Sequence, residues 1–597
     1  MYGYFGKLLR INLKDKTVKV ETFDQSKGEK FIGGRGLATK ILSEEVNPQV
    51  DALGPENKLI FVTGPLTGTP TPTGGRYMVV AKSPLTGTVA CSNSGGYWGA
   101  EFKSTGYDAI IFEEKAVSPV YIYIEDGDVE IRDAAHIWGK NTTEATKKLE
   151  AECGEKVRVC LIGPAGEKLS KIAAVVNDYS RAAGRSGVGA VMGSKNLKAI
   201  VVKGSKKPEI YDEAKLKELV AADNKKLREN GVTGQGLPAY GTAILINIIN
   251  ENGILPTNNF QKSYFNMAEE ISGETMAEKY LVKKDPCYRC PIACGRYCKV
   301  EGIEGGGPEY ETIWAFGSDC GVSDLSDIIR ANYWCNELGL DTISAGATIA
   351  AAMELYEKGY IKKEELGGLS LDFGNSEAIV EWTKRIGMRE GLGDKMAEGS
   401  YRLAELYGIP EIAMTVKKQE LPAYDPRGVQ GHGLEYATSN RGGCHVRGYM
   451  ISPEILASPE QLDRFALEGK PQWVKIFQDL TAVIDSMGLC LFTSFALGAA
   501  DYAELFNAVT GSSYTADTIL EAGDRIWNLE RMFNLRAGIK PEEDTLPKRL
   551  LEEKIQEGPS KGWVHKLHEL LPEYYELRGW TKEGIPSEEK LQSLGLK

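Results

Sequence analysis

The apolar residues of this chain change period near Lys207, and that change bounds the fold. Before it the pattern is mostly period two. Leu9-Arg10-Ile11-Asn12-Leu13 and Val18-Lys19-Val20 alternate, and Val120 to Ile124 and Val129 to Ile131 flank Asp126-Gly127, a strong hairpin turn. A helix over 144–153, stopped by Gly154, interrupts the strands. After Lys207 spacings of three to four take over. Asp212 caps a predicted helix to about Glu229, and 342–358, 473–486 and 516–534 read the same way. No Pro/Ser-rich linker parts these regions. The pattern predicts an α+β protein of 597 residues: a β-rich N-terminal domain (1–208) packed closely against two mainly α-helical domains (209–416 and 417–597).

Charge excludes some functions. The net charge of −12, with acids and bases interspersed, argues against a nucleic-acid partner. No apolar run approaches the roughly 18–20 residues that span a bilayer. The N-terminus lacks a signal-peptide core, so a cytoplasmic protein is expected. Eleven cysteines, an odd number, read as reduced thiols, some of them ligands. Five histidines make a multi-histidine site improbable.

Chemistry concentrates at Cys287, Cys290 and Cys294, spaced two and then three apart among prolines and glycine. Three thiolates at this spacing hold one side of a metal centre and leave it one ligand short. Zinc is the competing reading, but a second Cys-x-x-Cys is missing nearby. Buried structural cysteine is the plain alternative. Cys490, after a helix and Gly488, is a candidate fourth ligand; Cys444, beside His445, competes with it. Gly305-Gly306-Gly307-Pro308-Glu309-Tyr310-Glu311 reads as a flexible loop, either simply solvated or bearing a general base. His445, among glycines and Arg441, is a candidate proton donor or a satisfied structural histidine. Arg181 to Lys195 offers backbone N–H groups, Arg181, Arg185 and Lys195 for a phosphate, or is a glycine-rich surface turn. Its glycines lack the dinucleotide-fold spacing.

Together these motifs resemble the aldehyde:ferredoxin oxidoreductase family, tungsten enzymes with a bis-pyranopterin cofactor, and are most similar to its aldehyde oxidoreductase branch. The likeness runs through Gly64-Pro-Leu-Thr-Gly68, Pro72-Thr-Gly-Gly-Arg-Tyr77, Lys82-Ser-Pro-Leu-Thr-Gly87, Asn93-Ser-Gly-Gly-Tyr97, the 181–198 stretch, the cysteine triplet, Gly307-Pro-Glu-Tyr-Glu311, Glu420-Leu-Pro-Ala-Tyr-Asp-Pro-Arg-Gly428 and Asp485-x-x-Gly-Leu-Cys490. The resemblance implies that the N-terminal domain forms a base for the pterins. It implies that Cys287, Cys290, Cys294 and Cys490 hold one [4Fe–4S] cluster. It gives the backbone carbonyls of Asn93 and Ala182 a magnesium ion that joins the pterin phosphates, and sets Arg76 between pterin and cluster. Gly95, Arg181, Gly184, Arg185, Leu340, Asp341, Asp485, Leu489 and Leu491 fall at cofactor-binding positions. So does Asn336, where the family motif has an acid. Glu311 and His445 match the pair beside the tungsten.

The implied reaction takes aldehyde and water to carboxylate, reversibly at low potential. Glu311 acts as base, His445 as hydrogen-bond donor, and electrons pass singly to ferredoxin. Two alternatives stand beside it: a tungsten or molybdenum subunit of a multi-protein complex with another acceptor, and a non-catalytic cluster-bearing scaffold. Some family members carry a Glu-x-x-His pair that binds an iron between subunits. Here that run is Arg330-Ala331-Asn332-Tyr333, so a monomer is expected.

Overall fold

The computed structural model describes residues 1–154 and 156–597. The first 204 residues build two six-stranded sheets. β1 (Lys7–Asn12), β2 (Thr17–Thr22), β3 (Leu59–Thr63), β4 (Tyr77–Lys82), β5 (Val89–Ser94) and β6 (Ala109–Glu113) run in the order β2-β1-β6-β3-β4-β5. β7 (Val120–Glu125), β8 (Asp128–Asp133), β9 (Arg158–Leu161), β10 (Val175–Asn177), β11 (Arg181–Ala183) and β12 (Leu197–Lys203) run β11-β10-β9-β12-β7-β8. The Asp126-Gly127 hairpin joins β7 to β8, as its turn chemistry demands.

Alternation along each strand decides what it covers. Leu9, Phe61, Tyr77 and Val79 of the first sheet meet Ile122, Cys160, Ile200 and Val202 of the second. The opposite residues, Ile60, Val62, Met78 and Val80, pack on Leu37, Ile41 and Leu42 of the helix Gly34–Glu45. Tyr121, Val159 and Val201 pack on Ala145 and Leu149 of the helix Thr142–Cys153. Both sheets are therefore covered on two faces, and β3 is buried along its whole length.

The rest is mainly helical. Asp212 caps Glu213–Glu229 by accepting from the Lys215 N–H, and Thr342–Glu357, Lys470–Met487 and Ala516–Arg536 follow the expected spans. Between them lies an element that the sequence pattern does not predict, a three-stranded antiparallel sheet of β13 (Leu281–Lys284), β14 (Arg296–Val300) and β15 (Ile303–Gly306). The glycine run at 305–307 is consequently not a flexible loop. Gly306 ends β15, where a Cβ would stand 2.1 Å from Ser180 Oγ. Tight packing, not mobility, requires the glycine there. Among the described residues, no helix is long and apolar enough to cross a membrane.

Candidate functional site

Four thiols line one cavity: Cys287, Cys290 and Cys294 from the segment between β13 and β14, and Cys490 from just beyond the helix Lys470–Met487. Thr73, Gly75, Arg76, Gly95, Ile292 and Phe492 complete its wall. The helix stops at Gly488, whose φ is +85° and whose Cβ, if it had one, would lie 2.1 Å from Thr67 Oγ1. Only glycine permits that turn, which aims Cys490 at the triplet. Thr73 clamps the two parts together. Its N–H donates to the Arg289 carbonyl (3.1 Å) and its Oγ1 accepts the Cys490 N–H (3.1 Å). Buried Arg296 ties off the triplet by donating to the carbonyls of Ala293 (2.6 Å) and Cys294 (3.0 Å). Nothing in the sequence pattern singled out Thr73 or Arg296.

Of the two further candidates, Cys490 lines the cavity with the triplet and Cys444 does not. Cys444 is fully buried away from the cavity, and its sulfur accepts from Arg441 Nη2 and Nε at 3.0 and 3.2 Å. Burial, then the sulfurs of Cys490 and Cys287, push the Cys290 thiol up to about 11. Burial, Glu309 and the other thiols push Cys294 well above the ordinary thiol range. Burial and crowding by neighbouring sulfurs thus favour the thiol form of Cys290 and Cys294 until a positive centre joins them. Among the described residues, no three Cys, His, Asp or Glu side chains converge as they must on one ion. The sulfurs line a space instead of meeting at a zinc-sized point.

Arg76 bridges this cavity to the sheets. Its Nη2 donates to Cys490 Sγ (3.2 Å) and its Nη1 to Asn93 Oδ1 (2.9 Å). A Cβ on Gly95 would stand 3.0 Å from Cys287 Sγ and 3.2 Å from Arg76 Cζ. Asn93 Nδ2 reaches Asp485 Oδ1 at 3.1 Å, and Arg447 holds the other carboxylate oxygen of Asp485. Arg441 and Arg447 both donate to the Cys91 carbonyl on β5. Asn93 on β5 and Ala182 on β11 occupy the outer strands of their sheets, which lie against one another.

Glu311 sits in the first turn of the helix Tyr310–Phe316. Its Oε2 accepts the Ala423 N–H (3.0 Å), and the Tyr310 hydroxyl fixes that segment through the Ala423 carbonyl (2.7 Å). Its Oε1 stands 3.5 Å from His445 Nε2. Glu311 Oε1 and His445 Nδ1 are buried without a hydrogen-bond partner among the described residues. Burial lifts the Glu311 carboxyl to about 8, against the opposing pull of the Ala423 N–H and Arg185. Burial, then Arg185, His432 and Arg441, hold the His445 imidazolium well below its ordinary range. At neutral pH both groups are uncharged, so this is a carboxyl–imidazole pair and not an ion pair.

Family models for aldehyde ferredoxin oxidoreductase match residues 8–204 (N-terminal domain) and 218–596 (domains 2 and 3). The chain belongs to the aldehyde ferredoxin oxidoreductase family. It is 58% identical to the tungsten-containing aldehyde ferredoxin oxidoreductase of Pyrococcus furiosus, covering 100% of this chain and 99% of that protein. It is 34% identical to an aliphatic sulfonate oxidoreductase, WOR-like subunit, of the same organism, over 100% and 97%. The solved active-site complex BamBC of benzoyl coenzyme A reductase with 1,5-dienoyl-CoA superposes with a TM-score of 0.87 at 27% identity, over 100% and 97% of the two chains.

Several residues at aldehyde ferredoxin oxidoreductase motif positions already have protein partners. Arg185 donates to the Gly443 and Glu420 carbonyls (both 2.7 Å) and to Asp341 Oδ2 (3.2 Å). Asp341 caps the helix Thr342–Glu357 through the Ile343 N–H. Asn336 Nδ2 donates to the Gly306 carbonyl (3.1 Å), and Leu340 and Leu489 are buried apolar contacts. A Cβ on Gly184 would stand 3.8 Å from Asp341 Oδ1, and Leu491 is half-buried. Arg181 pairs with Asp285 (3.1 Å). The phosphate reading of Lys195 fails: its ammonium is buried among the Pro55, Asn57 and Glu114 carbonyls, and burial lowers it to about 8. Of the run Arg330 to Tyr333, Arg330 pairs with Asp327 (2.9 Å) and Tyr333 packs on Trp334.

Proposed function

We propose that this chain oxidises aldehydes to carboxylic acids, reversibly at low potential, as a tungsten bis-pyranopterin enzyme that passes electrons singly to ferredoxin in the cytoplasm. The observation that carries the reading is the Glu311–His445 pair: two polar side chains whose buried atoms lack partners, an arrangement that no structural role accounts for.

The residues fit the cofactors. Four thiols around one cavity suit a four-thiolate cluster with Arg76 beside it. Arg76, half-buried, and Arg441, buried, are cations without a carboxylate partner among the described residues, which suits an anionic pterin phosphate. Asn93 and Ala182 would offer carbonyls to magnesium, and Gly95, Arg181, Gly184, Asn336, Leu340, Asp485, Leu489 and Leu491 would line the pterins. Arg185 and Asp341, held by each other, would shape the pocket wall rather than offer free charge. The domains would meet at this centre: 1–208 as base, 209–416 bringing the triplet and Glu311, and 417–597 bringing His445 and Cys490. Bound, the pterin metal supplies the two-electron oxidation and the cluster a one-electron exit.

The chain's own work is proton handling. While Glu311 is protonated it donates toward His445 Nε2, which puts the ring proton on Nδ1, free to meet a substrate oxygen. Once ionised, Glu311 takes a proton from water or the hydrated aldehyde. The aldehyde is oxidised, its oxygen comes from water, and three protons and two electrons leave per carboxylate formed.

The deciding experiment is elemental analysis of anaerobically purified protein coupled to aldehyde-dependent viologen reduction. Tungsten with iron and turnover of aldehydes are expected; zinc without either metal, or no turnover of any aldehyde, overturns the reading. A second reading, a catalytic subunit of a larger complex, is favoured by the subunit and complex names of two relatives. Co-purifying iron–sulfur or flavin chains would establish it; a lone chain active with ferredoxin would exclude it.

A further inference from the structure

Behind His445 lies a second carboxyl–imidazole pair that the scheme above does not use. The helix Gln430–Thr438 is buried along its whole length and carries His432 and Glu435 three residues apart on one face. His432 Nδ1 lies 2.8 Å from Glu435 Oε2, and both side chains are fully buried. Glu435 Oε2 also accepts the Met450 N–H (3.0 Å). Glu435 Oε1 and His432 Nε2 have no hydrogen-bond partner among the described residues.

Two tyrosines connect this pair to the first. The Tyr424 ring stands 5.0 Å from His432 and 6.0 Å from His445. The Tyr449 ring stands 6.4 and 6.2 Å from the same two imidazoles. Their hydroxyls are 3.3 Å apart. Glu311 and Glu435 both push the Tyr449 hydroxyl up by charge, after burial. Other charged neighbours are already engaged. Glu454 accepts the Gly431 and His432 N–H groups (2.9 and 3.0 Å) and holds Lys470, and His565 Nε2 contacts the Gln430 carbonyl (2.8 Å). Tyr436, on the same helix, covers the other side of His432 (4.5 Å).

A packed aromatic core does not need a carboxyl and an imidazole with orphaned atoms, which cost stability. A dry site that releases three protons per turnover does need somewhere to send them. We propose that Glu435 and His432 are positioning residues that draw protons away from Glu311–His445 through the Tyr424–Tyr449 hydroxyls. In each transfer the tyrosine pair releases one proton toward Glu435–His432 and regains one from Glu311–His445. One O–H or N–H bond forms for each that breaks, and no electrons move. The proposal rests on Glu311–His445 being the catalytic pair.

The test compares Glu435→Gln, His432→Gln and Tyr449→Phe with wild type, all as tungsten-loaded enzyme. Each should lower kcat by about tenfold or more, below the ~10²–10⁴ of a directly acting group, with KM and metal content unchanged and a larger solvent deuterium effect on kcat. Infrared difference spectra recorded as aldehyde turnover begins should show a carboxyl band that Glu435→Gln removes. Should one variant fail to fold, the remaining two and the infrared band decide. Wild-type kcat per tungsten and an unchanged solvent effect in Tyr449→Phe and Glu435→Gln would overturn the proposal. Full activity in Glu311→Gln would instead remove the catalytic pair, and the infrared band would still report on Glu435.

Discussion

At the scale of single residues, burial decides which groups do chemistry. Glu311 is lifted to about 8 because almost nothing around it stabilises the anion except the Ala423 N–H and Arg185. In the proposed reaction Glu311 acts in its ionised form, so kcat/KM should rise with pH through about 8 and level above it. His445 stays neutral over that range and adds no limb of its own. Glu311→Gln should lower turnover by ~10²–10⁴-fold and abolish the limb, with tungsten and iron retained; pH profiles per tungsten check this. The linkage runs the other way for stability. A carboxyl raised in the folded state favours folding fully below its unfolded value of 4.5, and that contribution is lost as pH rises through about 8. The Gln variant should therefore gain thermal stability over wild type above about pH 8, as the wild-type site pays in stability for its base.

At the scale of elements, the thiol cavity exists because a helix end, a sheet loop and a strand-flanking turn are pinned together. Gly488 is the pivot. Alanine there must adopt a left-handed φ and meet Thr67; the backbone term alone is about 1–3 kcal/mol. Gly488→Ala should fall in melting temperature and iron content together, whereas an exposed glycine in a right-handed conformation such as Gly231, with nothing near it, should change neither. Thr73→Val keeps the shape but leaves the Cys490 N–H unpaired, at about 1–3 kcal/mol, read from the urea midpoint. Helices with caps and apolar stripes are legible in the sequence: Asp212 and Gly154 end their helices where their residue types place them. β13 to β15 are not. β13 is four residues long with Lys283 and Lys284 exposed, so it carries no buried alternation to read. Gly306 reads as a flexible joint because sequence shows a missing side chain but not the Ser180 that fills its place.

At the scale of the whole molecule, the sequence holds the list of site residues but not their geometry. Glu311 and His445 are legible as motif positions. That one carboxyl oxygen and one imidazole nitrogen are buried without partners among the described residues depends on surroundings drawn from Tyr310, Ala423 and Arg185, scattered over some 240 residues. The same long-range closure explains why Cys490 and Cys444 cannot be ranked by spacing. Both follow glycines, and only the packing of Lys470–Met487 against the N-terminal helix Gly34–Glu45 shows which thiol reaches the triplet. Four sulfurs from two distant segments line one cavity, so the proposed cluster, bound there, would stabilise the folded chain by linkage. Cys490→Ala should lose iron, melt at lower temperature and become open to proteolysis between Cys287 and Cys294. Chelating iron from wild type should reproduce all three effects. Cys444→Ala, which removes a sulfur that accepts from Arg441, should keep its full iron content. Iron loss from the Cys444 variant with retention in the Cys490 variant would reverse the ligand assignment and, with it, the direction in which electrons leave the site.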